Sequence, residues 1–78
     1  MTMTLRMPKL AVSMQEGQLL EWLVADGQPV AEGQPIYTVE IEKAAMEVNA
    51  PVSGVFRHIG QLGTAYKVGE IIAEIVPA

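Results

Sequence analysis

The residue with the clearest chemical potential is Lys43, in the stretch VEIEKAAMEVNAP that spans residues 39–51. Two acidic side chains, Glu40 and Glu42, precede the lysine, and the small side chains of Ala44 and Ala45 follow it. A lysine expected at an exposed position is not desolvated by its surroundings. Such an amine is a weak nucleophile, which speaks against a Schiff-base or general-base role. The pattern instead favours a lysine that a separate enzyme deprotonates and acylates.

Both halves of this stretch alternate in the way of β-strands, so Lys43 is expected at the turn of a central hairpin. The turn lacks the Asn-Gly or Asp-Gly pair that type I′ turns prefer. A type I turn centred on Glu42–Lys43, with negative φ angles, is therefore expected. With only Ala44 and Ala45 beyond it, the ammonium group would be open to a second protein. A turn lysine without a function is the competing interpretation.

The composition restricts the classes of function. The chain has 78 residues, enough for one small domain, and 50% of them are hydrophobic, with a mean hydropathy of +0.27. It contains no cysteine and a single histidine, His58, which argues against disulfides, a zinc site and a catalytic Ser/His/Asp set. The net charge of −4 argues against nucleic acid as a partner. His58 is expected at a surface or rim, and Lys9 and Lys67 are interpreted as solvated side chains.

No segment of the sequence predicts a membrane span or a cleavable signal. A soluble protein without a membrane partner is therefore expected. Its expected location is the cytoplasm of a bacterium, or the mitochondrial matrix if the domain was excised from a eukaryotic precursor. Residues 1–78 are expected to form one domain.

Glycines and prolines divide the chain into short segments, and no segment holds a helical period for long. This pattern predicts an all-β barrel or sandwich. The second predicted strand has one face that carries Leu19, Glu21 and Leu23. This face is expected to be exposed to solvent, because a charge is costly to bury. Strands are predicted near residues 5–8, 18–25, 29–30, 34–40, 45–49, 54–59, 64–66 and 70–76.

The two halves of the chain, about residues 5–40 and 45–76, also share a spacing of glycines and apolar residues. Two repeats predict interleaved halves around a pseudo-twofold axis, with the Lys43 hairpin as the connection between them. The axis would place the hairpin far from the chain ends. In this alignment Gly17 falls on Gly54, Gly27 on Gly63, Val30 on Tyr66, Gly33 on Gly69 and Ile36 on Ile72.

Several short motifs follow one another along nearly the whole chain. They are MPKL at residues 7–10, EG at 16–17, EWLV at 21–24, DG at 26–27, EGQP at 32–35, EIEKA at 40–44, AP at 50–51 and SGV at 53–55. In this order and at this spacing, the chain resembles the lipoyl domains of the biotinyl/lipoyl-attachment family. It is most similar in pattern to those of 2-oxoacid dehydrogenase acyltransferase (E2) components. The acid before the lysine is Glu42 where the family more often has aspartate, and the apolar Ile41 precedes it near the expected exposed tip.

This resemblance implies a flattened β-barrel or sandwich hybrid of two four-stranded antiparallel sheets with internal pseudo-twofold symmetry. It implies Lys43 as the attachment site of lipoic acid through an amide, with Glu40, Glu42 and Ala44 recognised around it. The acidic side chains, with Glu47, would steer the tip towards basic clefts in partner proteins.

The resemblance also implies the partners of such a swinging arm. A lipoate ligase or lipoyltransferase would attach the cofactor. The arm would then carry acyl groups and reducing equivalents between a thiamine-diphosphate-dependent 2-oxoacid dehydrogenase (E1), the acyltransferase core (E2) and dihydrolipoyl dehydrogenase (E3). The domain itself would catalyse none of these steps.

Two alternatives keep the fold and change the role. A biotin carrier of a biotin-dependent carboxylase would have methionines on both sides of the lysine, whereas Glu42 and Ala44 stand here and Met46 lies three residues on. An unmodified lipoyl-like interaction module would have the same hairpin without any ligase acting on Lys43. An enzyme in its own right has little support in the sequence.

Overall fold

The computed structural model describes residues 2–9 and 12–77, and these residues form two four-stranded antiparallel sheets that pack in the manner of a sandwich. The strand order is β1-β8-β6-β3 in one sheet and β5-β4-β2-β7 in the other. Within the described ranges, no helix has the length and apolar character needed to span a membrane. The strands are β1 Met3–Arg6, β2 Glu16–Trp22, β3 Pro29–Val30, β4 Pro35–Ile41, β5 Ala44–Asn49, β6 Gly54–His58, β7 Ala65–Lys67 and β8 Ile71–Val76.

The core lies between the two sheets and is built mainly from the central strands β4, β8, β2 and β6. Strand alternation explains much of the choice of side chains, because every second residue of a strand points to the same face. Burying one such aliphatic or aromatic side chain contributes about 1.5–3 kcal/mol. The most deeply buried large side chains are those of Met7, Leu19, Ile36, Tyr37, Val39, Phe56, Ile72 and Ile75.

The two halves of the chain are related residue by residue, as the glycine spacing predicts. The Gly27 amide donates a hydrogen bond to the carbonyl of Phe56 at 2.7 Å, and the Gly63 amide donates to the carbonyl of Leu19, also at 2.7 Å. Both glycines have positive φ angles, 83° and 81°, which favour a residue without a β-carbon. Each half therefore supplies two strands to each sheet, with β1, β2, β3 and β4 equivalent to β5, β6, β7 and β8.

Each of the eight predicted strand regions overlaps a strand, but several boundaries differ: β1 spans Met3–Arg6 where residues 5–8 were predicted. Strand β2 ends at Trp22 rather than at Ala25. Ala25 is part of a turn, in which its carbonyl accepts a hydrogen bond from the Gln28 amide at 3.2 Å and its own amide donates to Gln28 Oε1 at 3.1 Å. The turn thus satisfies the polar groups that a longer strand would have used.

The prediction that Leu19 and Glu21 share the solvent-exposed face of β2 is wrong for Leu19, which is fully buried. Glu21 is exposed as predicted. The register of β2 against β4 shifts between Leu19 and Glu21, so that Leu20 forms a β-bulge. A bulge adds one residue on one strand and thereby exchanges the faces of the residues that follow. Leu19 and Trp22 can both face the interior for this reason.

Candidate functional site

Strands β4 and β5 form a tight hairpin with Lys43 at its tip. Ile41 pairs with Ala44, which leaves Glu42 and Lys43 as the two loop residues. Their φ angles are 51° and 67°, the pattern of a type I′ turn. The expected type I turn with negative φ angles is therefore wrong. The physical reason is the twist of the strands, because a type I′ turn matches their right-handed twist and lets the ladder continue to the last pair.

This turn is strained, because neither loop residue is a glycine. A left-handed backbone conformation costs a residue with a β-carbon about 1–2 kcal/mol. A strained backbone conformation persists where contacts from the surrounding structure hold it in place. Such conformations are often found at functional sites. Here the β4–β5 ladder, with Glu40 opposite Ala45 and Val39 opposite Met46, holds Glu42 and Lys43 in place.

The Lys43 side chain is accessible. Lys43 is exposed, and so are its neighbours Glu42, Ala44 and Ala45. Among residues 2–9 and 12–77, no side-chain hydrogen bond or ion pair to Lys43 is present. Another protein can therefore approach the ε-amino group without breaking a hydrogen bond or ion pair to the described part of the chain.

A second segment of the chain supports the turn at Glu42. The Ser13 hydroxyl donates a hydrogen bond to Glu42 Oε1 at 2.8 Å. The two residues are 29 positions apart, and no pattern in the sequence indicated that Ser13 belongs to this site. The carboxylate of Glu42 is thus held by the segment that precedes β2.

The base of the hairpin is anchored in the core. Ile41 is only 5% exposed, so the expected apolar residue at the exposed tip is in fact buried. Its side chain packs over Gly17, where an added β-carbon would lie 3.4 Å from Ile41 Cγ1, 3.0 Å from Met7 Sδ and 3.1 Å from Met14 Cε. The tip therefore stands on a closely packed base.

The structure brings the predicted site residues together around the tip. Glu40 lies opposite Ala45 on the outer face, Glu42 and Lys43 form the loop, and Ala44 begins β5. Among the described residues, the ion pair joins Arg57 to Asp26, and neither Glu40 nor Glu42 takes part in it. The carboxylates of Glu40 and Glu42 therefore leave a negative charge near the tip. Such a field favours approach of a basic surface, and the attraction weakens as salt rises.

His58 lies away from this hairpin, on β6, and it is half-buried as expected for a rim residue. Its ring stacks on Trp22 with centroids 4.0 Å apart and planes 6° apart. His58 Nε2 lies 2.7 Å from the carbonyl of Val24, and its backbone amide donates to Asp26 Oδ1 at 2.8 Å. In the part of the chain that the structure describes, no group of three or more His, Asp or Glu side chains could hold a metal ion.

Tyr37 lies next to Trp22 in the aromatic part of the core. Burial raises the pKa of Tyr37 to about 12, because a phenolate would lose its hydration there. Tyr37 is on the same strand as the base of the hairpin, but its ring is in the core and takes no part in the exposed site.

Comparison with known proteins gives the family to which this two-sheet fold with an exposed hairpin lysine belongs. The chain belongs to the biotin/lipoyl family, whose model Biotin_lipoyl, described as "Biotin-requiring enzyme", matches residues 3–75. It is similar in fold to the solution structure of the lipoyl domain of the 2-oxoglutarate dehydrogenase complex from Azotobacter vinelandii. The TM-score is 0.80 and the sequence identity 23%, over 97% of this chain and 98% of that one.

Curated relatives are longer proteins. The chain is 38% identical, over 92% of its length, to the dihydrolipoyllysine-residue acetyltransferase component of the acetoin cleaving system of Cupriavidus necator, of which it covers 20%. It is 40% identical, over 94% of its length, to the acetyltransferase component of the pyruvate dehydrogenase complex of Rhizobium meliloti, of which it covers 17%. It is also 35% identical, over 91% of its length, to the succinyltransferase component of the 2-oxoglutarate dehydrogenase complex of Bacillus subtilis, of which it covers 17%. The chain thus spans about a fifth of the length of these relatives.

Proposed function

We propose that this chain is a lipoyl carrier domain and that lipoic acid is attached to Lys43. The observation that carries the proposal is the position of an accessible lysine at the tip of a two-residue hairpin, on a fold similar to that of a lipoyl domain. The names of the curated relatives, which include three kinds of dihydrolipoyllysine-residue transferase component, support a lipoyl rather than a biotinyl role.

The residues around Lys43 fit a bulky covalent group. Glu42 is held by Ser13, and Ala44 has only a methyl side chain, so neither crowds the ε-amino nitrogen. A ligase would take a proton from the Lys43 ammonium and join the nitrogen to the carbonyl carbon of an acyl adenylate made from lipoate and ATP. The bond from that carbon to the phosphate oxygen breaks, AMP leaves, and the resulting amide removes the positive charge. When bound, the lipoyl group supplies a cyclic disulfide that accepts acyl groups and reducing equivalents.

The contribution of the chain itself is to hold and present the arm. The ladder from Ile41–Ala44 to Tyr37–Val48 fixes the attachment point, while the exposed tip leaves the arm free to move. Tethering raises the effective concentration of a carried group near each partner, reaching the mM range for short flexible links. The partners we propose are E1, E2 core and E3 enzymes of a 2-oxoacid dehydrogenase or related complex, and a lipoate ligase or lipoyltransferase.

Intact mass spectrometry tests this proposal. The domain is incubated with purified lipoate ligase, ATP and lipoate, and the Lys43→Arg variant, which retains the positive charge, is the matched control. We expect the parent to gain the mass of one lipoyl group and the variant to gain none. A parallel incubation with biotin protein ligase and biotin tests the biotinyl alternative, and modification there but not with lipoate would replace the proposal. A parent that neither ligase modifies would favour the unmodified interaction module.

A further inference from the structure

Strand β5 has an open edge that begins directly after Lys43. Among residues 2–9 and 12–77, it is the terminal strand of its sheet and pairs with β4 alone. Five of its six residues are exposed, and Val48 is half-buried. An uncovered edge of this length presents unpaired backbone groups that can pair with another strand.

The hydrogen-bonding pattern of the hairpin identifies which backbone groups are free. In a two-residue hairpin the pair next to the loop, here Ile41 and Ala44, exchanges backbone hydrogen bonds, and such pairs alternate along the ladder. The register is regular from there to Tyr37 and Val48. The amide and carbonyl groups of Ala45 and Glu47 therefore point away from β4, towards the open edge.

The symmetry-related edge of the other sheet is protected, which makes β5 unusual within this fold. Strand β1 has four residues against six in β5, and its register is interrupted between Leu5 and Arg6. The Arg6 guanidinium also donates a hydrogen bond from Nη1 to the carbonyl of Gly69 at 2.9 Å. Short length, an irregular register and a basic side chain are the usual means by which an edge is closed to further pairing. The β5 edge is longer and keeps a regular register from Ile41–Ala44 to Tyr37–Val48, and the charged side chain it carries is an acid, Glu47.

The side chains along β5 indicate what kind of strand would fit. Directly opposed residues share a face, so Ala45 and Glu47 lie on the outer face with Glu40, while Met46 lies on the core side opposite Val39. Met46 is 41% exposed. A strand laid beside β5 would therefore meet carboxylates on one face and an apolar side chain on the other.

We propose that the enzyme that modifies Lys43 adds a strand of its own to the β5 edge. In that strand, basic residues would alternate with apolar ones. This inference rests on the proposed function. Pairing at Ala45 and Glu47 would bring the enzyme within about 13 Å, four residues of strand, of the lysine. A second copy of this chain would fit poorly, because pairing two β5 edges would place the Glu47 carboxylates of both copies on the same face of neighbouring strands.

The test compares two substitutions of Glu47 as substrates of lipoate ligase. Glu47→Ala removes the charge and keeps the amide, whereas Glu47→Pro removes both, and proline is tolerated where an edge amide faces solvent. We expect KM for the domain to be about tenfold higher for Glu47→Pro than for Glu47→Ala, with kcat unchanged, because a carbonyl of the enzyme loses its donor. The melting temperatures of both variants serve as the control for folding.

Hydrogen exchange provides a second measurement that needs no proline. The Lys43→Arg domain is mixed with the ligase, so that no turnover occurs, and amide exchange is compared with and without enzyme. We expect the Ala45 and Glu47 amides to exchange more slowly in the complex, while the amides of β1 and β7, which are also edge strands, are unchanged.

The outcomes separate the two proposals. Equal KM values for both Glu47 variants together with unchanged exchange at Ala45 and Glu47 would overturn the strand pairing and leave the carrier function intact. A parent domain that the ligase never modifies would refute the carrier function, and the pairing with it. Protection of the same amides by self-association of the domain, seen by sedimentation, would assign the edge to a second copy and overturn the inference.

Discussion

The Ser13 hydroxyl and the Glu42 carboxylate are joined by a hydrogen bond of 2.8 Å, which links the segment before β2 to the turn that carries Lys43. Glu42 is adjacent to the lysine in sequence, and its carboxylate is one of the groups that can pair with the ammonium group. By accepting a hydrogen bond from Ser13, Glu42 is directed towards another part of the chain. We therefore expect Ser13 to position the turn that carries Lys43.

Substitution of Ser13 is expected to affect modification more than folding. In Ser13→Ala the Glu42 carboxylate is free to turn towards Lys43, and a hydrogen bond of about 0.5–1.5 kcal/mol is lost, so ligation is expected to slow by about two- to tenfold. Ser13→Thr keeps the hydroxyl and should restore the parent rate. The measurement is kcat/KM with lipoate ligase, alongside a thermal melt. Ligation of Ser13→Ala at the parent rate would show that this hydrogen bond does not position the site.

The left-handed turn gives a prediction about stability. Glu42→Asn and Glu42→Ala both remove the carboxylate and its bond to Ser13, but asparagine tolerates a positive φ angle far better than alanine. The free energy of unfolding of Glu42→Asn is expected to exceed that of Glu42→Ala by about 0.5–1 kcal/mol. Urea denaturation measures the difference. An alanine variant as stable as the asparagine variant would contradict the observed turn.

Gly54 is expected to be the glycine least able to accept a side chain. An added β-carbon would lie 2.5 Å from the carbonyl oxygen of Val76 and 2.6 Å from Ile75 Cγ2. The backbone of β8 cannot move away cheaply, so Gly54→Ala is expected to cost about 2–3 kcal/mol. Gly27→Ala is the comparison, because an added β-carbon there meets no atom within 4 Å and the cost of about 1 kcal/mol comes from its φ angle of 83°. Denaturation midpoints would contradict this account if the order were reversed.

The buried tyrosine predicts a loss of stability at high pH. The pKa of Tyr37 is raised to about 12 in the folded chain, against 10.0 for the unperturbed group. The unfolded chain therefore releases this proton first as pH rises. The resulting stabilisation is complete below pH 10 and is lost between about pH 10 and 12, by up to about 1.4 kcal/mol per pH unit. Denaturation of the parent and of Tyr37→Phe isolates the effect. If both proteins lose stability with the same slope, Tyr37 is not the cause.

Much of the fold could be predicted because its signals are local. Alternating apolar residues and turn glycines placed a strand in each of the eight regions, and the recurrence of Gly27 and Gly33 as Gly63 and Gly69 indicated the symmetry. The lysine at a hairpin tip followed from the alternation on both sides of Lys43. These features depend on residues that are near one another in the sequence.

The remaining features depend on contacts across the chain. The bulge at Leu20 is set by the pairing of β2 with β4. The type I′ turn is set by the twist of β4 and β5, and the residue types of Glu42 and Lys43 give no sign of it. The burial of Ile41 depends on the space above Gly17. The bond from Ser13 to Glu42 joins residues 29 positions apart. Periodicity carries no information about such pairs.

Localisation of the modification tests the central claim most directly. The chain has three lysines, Lys9, Lys43 and Lys67, and each could in principle be acylated. After incubation with lipoate ligase, ATP and lipoate, the domain is digested and the peptides are fragmented in a mass spectrometer. We predict one lipoyl group, on the peptide that contains Lys43, with Lys9 and Lys67 unmodified. A lipoyl group on either of those two residues, with Lys43 left free, would contradict the account.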